Sequence, residues 1–219
     1  MMSNIQNSKG RSILFKMVEG IQKNKDYLGE IDGLIGDGDH GMNMNKGFSV
    51  FWDRFGDDNF SLADGLNALG MLLLNEIGGS MGPIYGTIFM SMGETGEDYA
   101  EIGLEELSRM LHAGLDGLND IIEAKPGDKT LVDTLVPAIE ALDKVKASGG
   151  SFENALIEMK AAAKAGRDST KDLVAKFGRS SRLGERSRGV VDAGATSCQI
   201  LLEALADGII ELLKGDIKK

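Results

Sequence analysis

A single cysteine, Cys198, stands among 219 residues, which excludes an internal disulfide and a cysteine-built zinc site. Three prolines are too few for a rigid Pro-rich linker, and aromatic residues amount to only 5%. No run approaches the roughly 18 uninterrupted apolar residues of a membrane-spanning helix. The opening MMSNIQNSKGRS lacks the apolar core of a secretory leader. The expectation is a cytoplasmic protein with no membrane contact. Basic residues are outnumbered 24 to 34, a formal charge of −10. Bulk nucleic-acid binding needs clustered Lys and Arg against phosphates, so that class is excluded as well. The deficit is uneven: Lys164 to Arg188 holds eight basic and three acidic residues, a local +5 that leaves −15 elsewhere.

What the chain has in excess is glycine, 30 residues or about twice the usual share of roughly 7%. These glycines belong in loops and at close contacts between elements. The dominant period is helical. Ile13, Met17 and Ile21 repeat every four residues, and Leu62, Leu66, Leu69, Leu73 and Ile77 every three or four. Ser61 and Asp64 have the spacing of a capping box. Leu156, Met159, Ala163, Gly166, Thr170, Leu173 and Phe177 carry a further stripe. A last helix is expected over about 195–213, and others near 42–55, 82–92, 103–124 and 131–147, with Thr130 and Asp133 placed to cap the last of these. No segment alternates long enough to predict a strand. Short connections and an even composition give one all-α domain over residues 1–219, a bundle of eight helices.

Three segments carry the chemistry. Between Asp32 and Met42, eleven residues hold three carboxylates, one histidine and four glycines. Gly36, Gly38 and Gly41 match a dinucleotide fingerprint in spacing, but no strand–helix alternation surrounds them. An EF-hand would need glycine at Met42 and glutamate at Phe48. Asp37 or Asp39 could simply cap the next helix. Asp32 weighs against so plain a turn, because a third carboxylate beside the loop is repulsive unless a cation sits there. Mg²⁺ between carboxylates and phosphates would reverse that repulsion. The second segment, Gly78-Gly79-Ser80-Met81-Gly82-Pro83, reads as a tight turn or as a helix N-terminus offering N–H groups to a phosphate. The third, Gly178 to Gly189 followed by Asp192-Ala193-Gly194, could face a nucleotide or an acidic partner, or be a solvated loop. No Walker sequence and no protein-kinase motif set occurs. His112 reads as an ordinary helix residue, Cys198 as a small buried hydrophobe, and Trp52 and the 11 methionines as packing.

Taken in order, GDGDHGMNM, GGSMGPIYGT, PGDKTLVDTLVPA, GRSSRLGERS and VDAGATS resemble the nucleotide-binding L subunit of bacterial dihydroxyacetone kinases over nearly the whole chain. The resemblance implies an eight-helix up-and-down barrel with the nucleotide and metal at one end. It implies that Asp32, Asp37 and Asp39 hold two Mg²⁺ ions bridging to the phosphates of ADP or ATP. It places His40, Gly41, Met42, Asn43, Ser80 and Met81 along the phosphate and nucleotide pocket, Leu131 near the adenine and Arg179 near the nucleotide. Asp192, Ala193 and Gly194 would close the pocket. The implied activity is metal-assisted phosphoryl transfer without a side-chain nucleophile, to a ketose or polyol held on a separate substrate-binding subunit. The donor would be either a phosphohistidine protein of the phosphotransferase system, acting on bound ADP, or exchangeable ATP.

Two departures stand out. The family usually has Ser at the position of Met81 and Asp-Pro-Gly-Ala where this chain reads Asp192-Ala193-Gly194-Ala195; the preceding Val190-Val191 is also unusual. The metal triad is intact, but partner and substrate need not be those of a typical member. Two other readings remain open on the residues: a nucleotide-state sensor that uses Arg179 to Arg188 as a protein interface, and a metal-stabilised helical scaffold. Whether the chain forms a homodimer is not set by these residues.

Overall fold

The computed structural model of the chain describes residues 3–215. Eight α-helices account for most of them: α1 (Gly10–Ile35), α2 (His40–Phe55), α3 (Leu62–Glu76), α4 (Met81–Gly96), α5 (Leu104–Asn119), α6 (Val132–Ala147), α7 (Phe152–Ser169) and α8 (Ala193–Lys214). Each helix packs on the next in sequence, and α8 returns to pack on α1, so the helices close into a barrel. The apolar stripes read from the sequence line its interior. Ile13, Met17, Ile21, Phe48, Leu66, Leu69, Leu73, Leu156, Met159, Leu201, Leu205 and Ile209 are all buried there. Phe48 meets Phe89 edge to face at 6.3 Å between ring centres.

The helix expected to run as far as Phe177 stops at Ser169. Ser169 Oγ and Thr170 Oγ1 donate to the carbonyls of Gly166 and Arg167 at 2.7 and 2.6 Å, taking up acceptors that the last turn leaves open. Leu173 is then extended, and the chain crosses to a 3-10 segment, Arg179–Ser187. A second difference is a two-residue antiparallel pair that pairs Ile5 with Ile102 and Gln6 with Glu101. Strands so short leave no period to read.

Two close approaches explain part of the glycine surplus. A Cβ on Gly41 would collide with the Lys25 carbonyl and the Gly29 amide, so α2 can begin hard against α1 only with glycine there. Inside α6, Pro137 has no N–H for the Asp133 carbonyl four residues back. A Cβ on Gly166 of α7 would collide with that same carbonyl.

Candidate functional site at one end of the barrel

The connections α1–α2, α3–α4, α5–α6 and α7–α8 lie together at one end and enclose a cavity of about 400 Å³. Each connection contributes. Its lining includes Asp32, Asp37, Asp39, His40 and Asn43 from the first, Gly78 to Met81 from the second, Lys129 to Leu131 from the third, and Phe177 to Ser180 with Asp192 to Gly194 from the fourth. The three sequence segments therefore meet in space. Gly41 and Met42 do not line the cavity: Gly41 is spent on the α1 contact, and Met42 points to solvent, 65% exposed.

Asp32 sits in the last turn of α1, where its Oδ2 accepts the His40 N–H at 3.3 Å. Its own carbonyl takes the Gly36 N–H, and Gly38 turns the chain at φ +79°. Neither Asp37 nor Asp39 caps α2 through its side chain; the carboxylate that reaches the helix start comes from α1. Burial, together with Asp37 beside it, holds the Asp32 carboxyl above the usual carboxylate range. For Asp37, desolvation pulls upward, but the Asp39 N–H and the Arg179 guanidinium outweigh it and lower the value. Arg179, on the 3-10 segment, forms an ion pair with Asp37 across the cavity mouth.

Among the described residues, no three acidic, histidine or cysteine side chains form a ready-made ion cage. Carboxylates on one wall of an open cavity are the donor set expected for Mg²⁺, which keeps waters and takes phosphate oxygens to complete its octahedron. They do not suit a self-sufficient Ca²⁺ loop.

Across from the acidic loop, α4 starts at Met81 without a side-chain cap from Ser80. Gly79, at φ +74°, and Gly78 have no neighbours where a Cβ would stand, so the approach to these N–H groups is open. Uncapped N–H groups at a helix start attract anions. Leu131 is buried at the start of α6. Thr130 and Asp133 do shape that start, with the Asp133 carboxylate accepting the Thr130 N–H at 2.8 Å and Thr130 Oγ1 the Val132 N–H at 3.2 Å. Asp192 caps α8 by accepting the Ala195 N–H at 2.8 Å, and burial pushes its carboxyl up to about 6. His40 is buried in the wall, and loss of solvation keeps its imidazole neutral, its pKa lowered to about 4.

Several lining residues were not singled out from the sequence. Lys129 is the most unexpected. It is a non-glycine residue at φ +62°, 1% exposed, with Nζ donating to the carbonyls of Thr170 and Val190 at 2.5 Å. Burial lowers its pKa while Asp192 opposes the shift. One ammonium thus ties the third connection to both ends of the fourth. Phe177, read as part of a helical stripe, instead lines the cavity from the loop. Tyr85 and Ser197 lie deeper, with their hydroxyls 2.6 Å apart. Outside the site, Cys198 is buried with its thiol raised to about 12, and His112 pairs with Asp143 at 2.7 Å on the surface.

The architecture is an all-α one: a closed helical barrel with carboxylates, glycine turns and the open start of α4 at one end. The chain belongs to the DAK2 domain family, whose sequence profile matches residues 34–207. It is 37% identical over 188 residues to the ADP-binding subunit DhaL of PEP-dependent dihydroxyacetone kinase 1 from Listeria innocua, covering 85% of this chain and 89% of that one. To the ADP-binding subunit DhaL of the Escherichia coli PEP-dependent kinase it is 38% identical over 184 residues, covering 83% and 87%. Among solved structures, the dihydroxyacetone kinase of C. freundii in complex with AMP-PNP and Mg²⁺ shares the fold, with TM-score 0.68 and 22% identity over 94% of this chain. This chain spans 35% of that longer one. No helix among the described residues is long and apolar enough to cross a membrane.

Proposed function

We propose that this chain is the ADP/ATP- and Mg²⁺-binding subunit of a two-component kinase for dihydroxyacetone or a related short ketose or polyol. The observation that carries the reading is the meeting, in one cavity, of Asp32, Asp37 and Asp39 with the uncapped start of α4. Two close relatives named as ADP-binding subunits support it. The three carboxylates hold two Mg²⁺ ions, which when bound neutralise charge developing on the transferred phosphoryl group. His40, Asn43, Ser80 and the Met81 N–H receive the phosphates, and Leu131 offers an apolar wall to the base. Asp37 serves an ion by sharing or releasing Arg179, which turns that guanidinium toward the nucleotide. Asp192, Ala193 and Gly194 form the remaining wall. The residues position and neutralise, and none attacks.

The acceptor sits on a separate substrate-binding subunit. PEP dependence in the relatives' names supports a phosphohistidine protein as the donor, with ADP rephosphorylated in place. Denaturing freshly purified protein and identifying what it releases tests this. ADP with about two Mg²⁺ per chain supports the relay. Ligand-free protein that binds ATP only with Mg²⁺ supports exchangeable ATP instead. Protein that takes up neither under any condition overturns the proposal.

A further inference from the structure

One aromatic ring lines the cavity without a partner in the fold. Phe177 is 38% exposed and stands outside the hydrophobic core. Among the described residues it meets no other ring. The other seven phenylalanines either face another aromatic ring or, like Phe152, are buried in the core. Its chain neighbours, by contrast, are all committed. Ala175 is buried, with its N–H donating to Ser187 Oγ at 2.9 Å. Lys176 donates twice to Asp128, from its N–H to the carbonyl at 3.1 Å and from its ammonium to the carboxylate at 2.5 Å. Gly178 turns the chain at φ +70°, and its carbonyl accepts the Ser181 hydroxyl at 2.7 Å. Arg179 forms the ion pair with Asp37.

These anchors fix where Phe177 stands. Lys176 holds the loop to the third connection, three residues before Leu131, and Arg179 holds it to the first, at the carboxylates. Between those two points the chain crosses the cavity, and Phe177 lies on the crossing. Leu131 lines the same cavity. Gly194 leaves open the space beside it, where a Cβ would stand 3.9 Å from Leu131 Cβ. A ring held at a polar cavity gains most from a flat apolar occupant that takes water off its face. A nucleobase offers such a face whatever its edge pattern. Phosphates and metal belong with the carboxylates and the start of α4, which leaves the base to Leu131 and Phe177.

We infer that Phe177 is a further nucleotide-binding residue: its ring stacks on the base that Leu131 backs and supplies the second apolar face of the base subsite. Lys176 and Arg179 are the anchors that keep it in place. The inference rests on the nucleotide reading above. It adds to that reading the side chain that lets the cavity tell a nucleoside diphosphate from bare pyrophosphate.

Calorimetric titration of the full chain, freed of any co-purified nucleotide by dialysis against EDTA, tests this with two ligands, Mg²⁺–ADP and Mg²⁺–pyrophosphate. Wild-type protein binds the first more tightly. In Phe177→Ala, affinity for Mg²⁺–ADP falls about tenfold, or about 1.4 kcal/mol, within the range for losing one base-stacking ring. Affinity for Mg²⁺–pyrophosphate stays the same, and Phe177→Trp binds ADP as the wild type does. A merely structural role would shift Arg179 as well, so both ligands would suffer alike. In NMR spectra of bound ¹³C-labelled ADP, the adenine H2 and H8 signals lie upfield in the wild type and move downfield in Phe177→Leu, which keeps the apolar bulk and loses the ring current. Phe177→Ala protein with full ADP affinity, or with equal losses for both ligands, overturns the inference and leaves the nucleotide reading standing. So does wild-type protein that binds pyrophosphate as tightly as ADP. Wild-type protein that binds neither overturns the reading and the inference together.

Discussion

The two ends of the barrel treat their helix starts differently. At the end away from the cavity, α3 begins under the Ser61–Asp64 capping box and α7 under Ser151, whose side chain accepts the Asn154 N–H. Glu106 takes the Gly103 N–H at the start of α5. Asn7 donates to the carbonyls of Gly96 and Tyr99 and accepts the Ala63 N–H, knitting three segments together. At the cavity end Asp192 caps α8 and the Asp32 carboxylate takes the first N–H of α2, but Asp39 and Ser80 precede α2 and α4 without capping them. Serine and aspartate are good caps, so the residue types are right and the bonds are not made. The open start of α4 beside the carboxylates can attract an anion, whereas the capped starts serve stability.

Asp39→Asn breaks this contrast most sharply. It should lower Mg²⁺-dependent nucleotide affinity by about 100-fold or more, the loss expected when one charged metal ligand is removed. The melting temperature should stay the same or rise, because one member of a repulsive set is gone. Unfolding of the variant at room temperature would make the acidic loop a structural element. Calorimetric titration beside circular dichroism reads both quantities.

Gly41→Ala acts on the fold behind the site. Its Cβ meets backbone of α1, which has no flexible end to yield, so a loss of about 3 kcal/mol or more is expected in denaturant unfolding. Ser61→Ala removes a cap at the far end and should cost about 1 kcal/mol while nucleotide affinity is unchanged. A change in affinity there would erase the distinction between the ends.

Asp192 supplies a pH test. Its carboxyl is raised from 3.8 to about 6 in the folded protein, so folding favours the protonated form. The penalty for its charge is absent below pH 3.8 and fully present above about pH 6. Asp192→Asn keeps an acceptor for the Ala195 N–H and loses the charge. Its stability relative to wild type should therefore rise between pH 4 and 7 and then level off, a trend that urea midpoints would reveal. The smallest effect is expected from His112→Asn, which removes a half-exposed contact with Asp143 worth less than about 1 kcal/mol.

The helices were readable because their apolar stripes repeat over several turns, as along Leu62 to Leu73. The end of α7 was not. Thr170 fits the stripe by spacing, yet its hydroxyl and carbonyl are taken by Arg167 and Lys129, and the chain leaves the helix there. The acidic loop and the Gly78–Met81 turn announced themselves through residues that are costly without a ligand. Lys129 gave no such warning, since a lysine in a Pro-Gly-Asp loop looks solvated. Its burial depends on carbonyls 41 and 61 residues away, a tertiary fact that no local pattern encodes. Tyr85 and Ser197 were hidden for the same reason: each lies on an apolar helix, and only the closure of the barrel brings their two hydroxyls together.

Because α8 packs on α1 and also touches β1 (Ile5–Gln6), the barrel is cyclic in space although the polypeptide is linear. Both the start of α1 and the end of α8 lie at the capped end, away from the cavity. A circular permutant that links those two points and opens the chain in the exposed turn at 57–59 would keep every helix pair and every cavity-lining connection. The order in which this chain is threaded is thus separable from the cavity it builds.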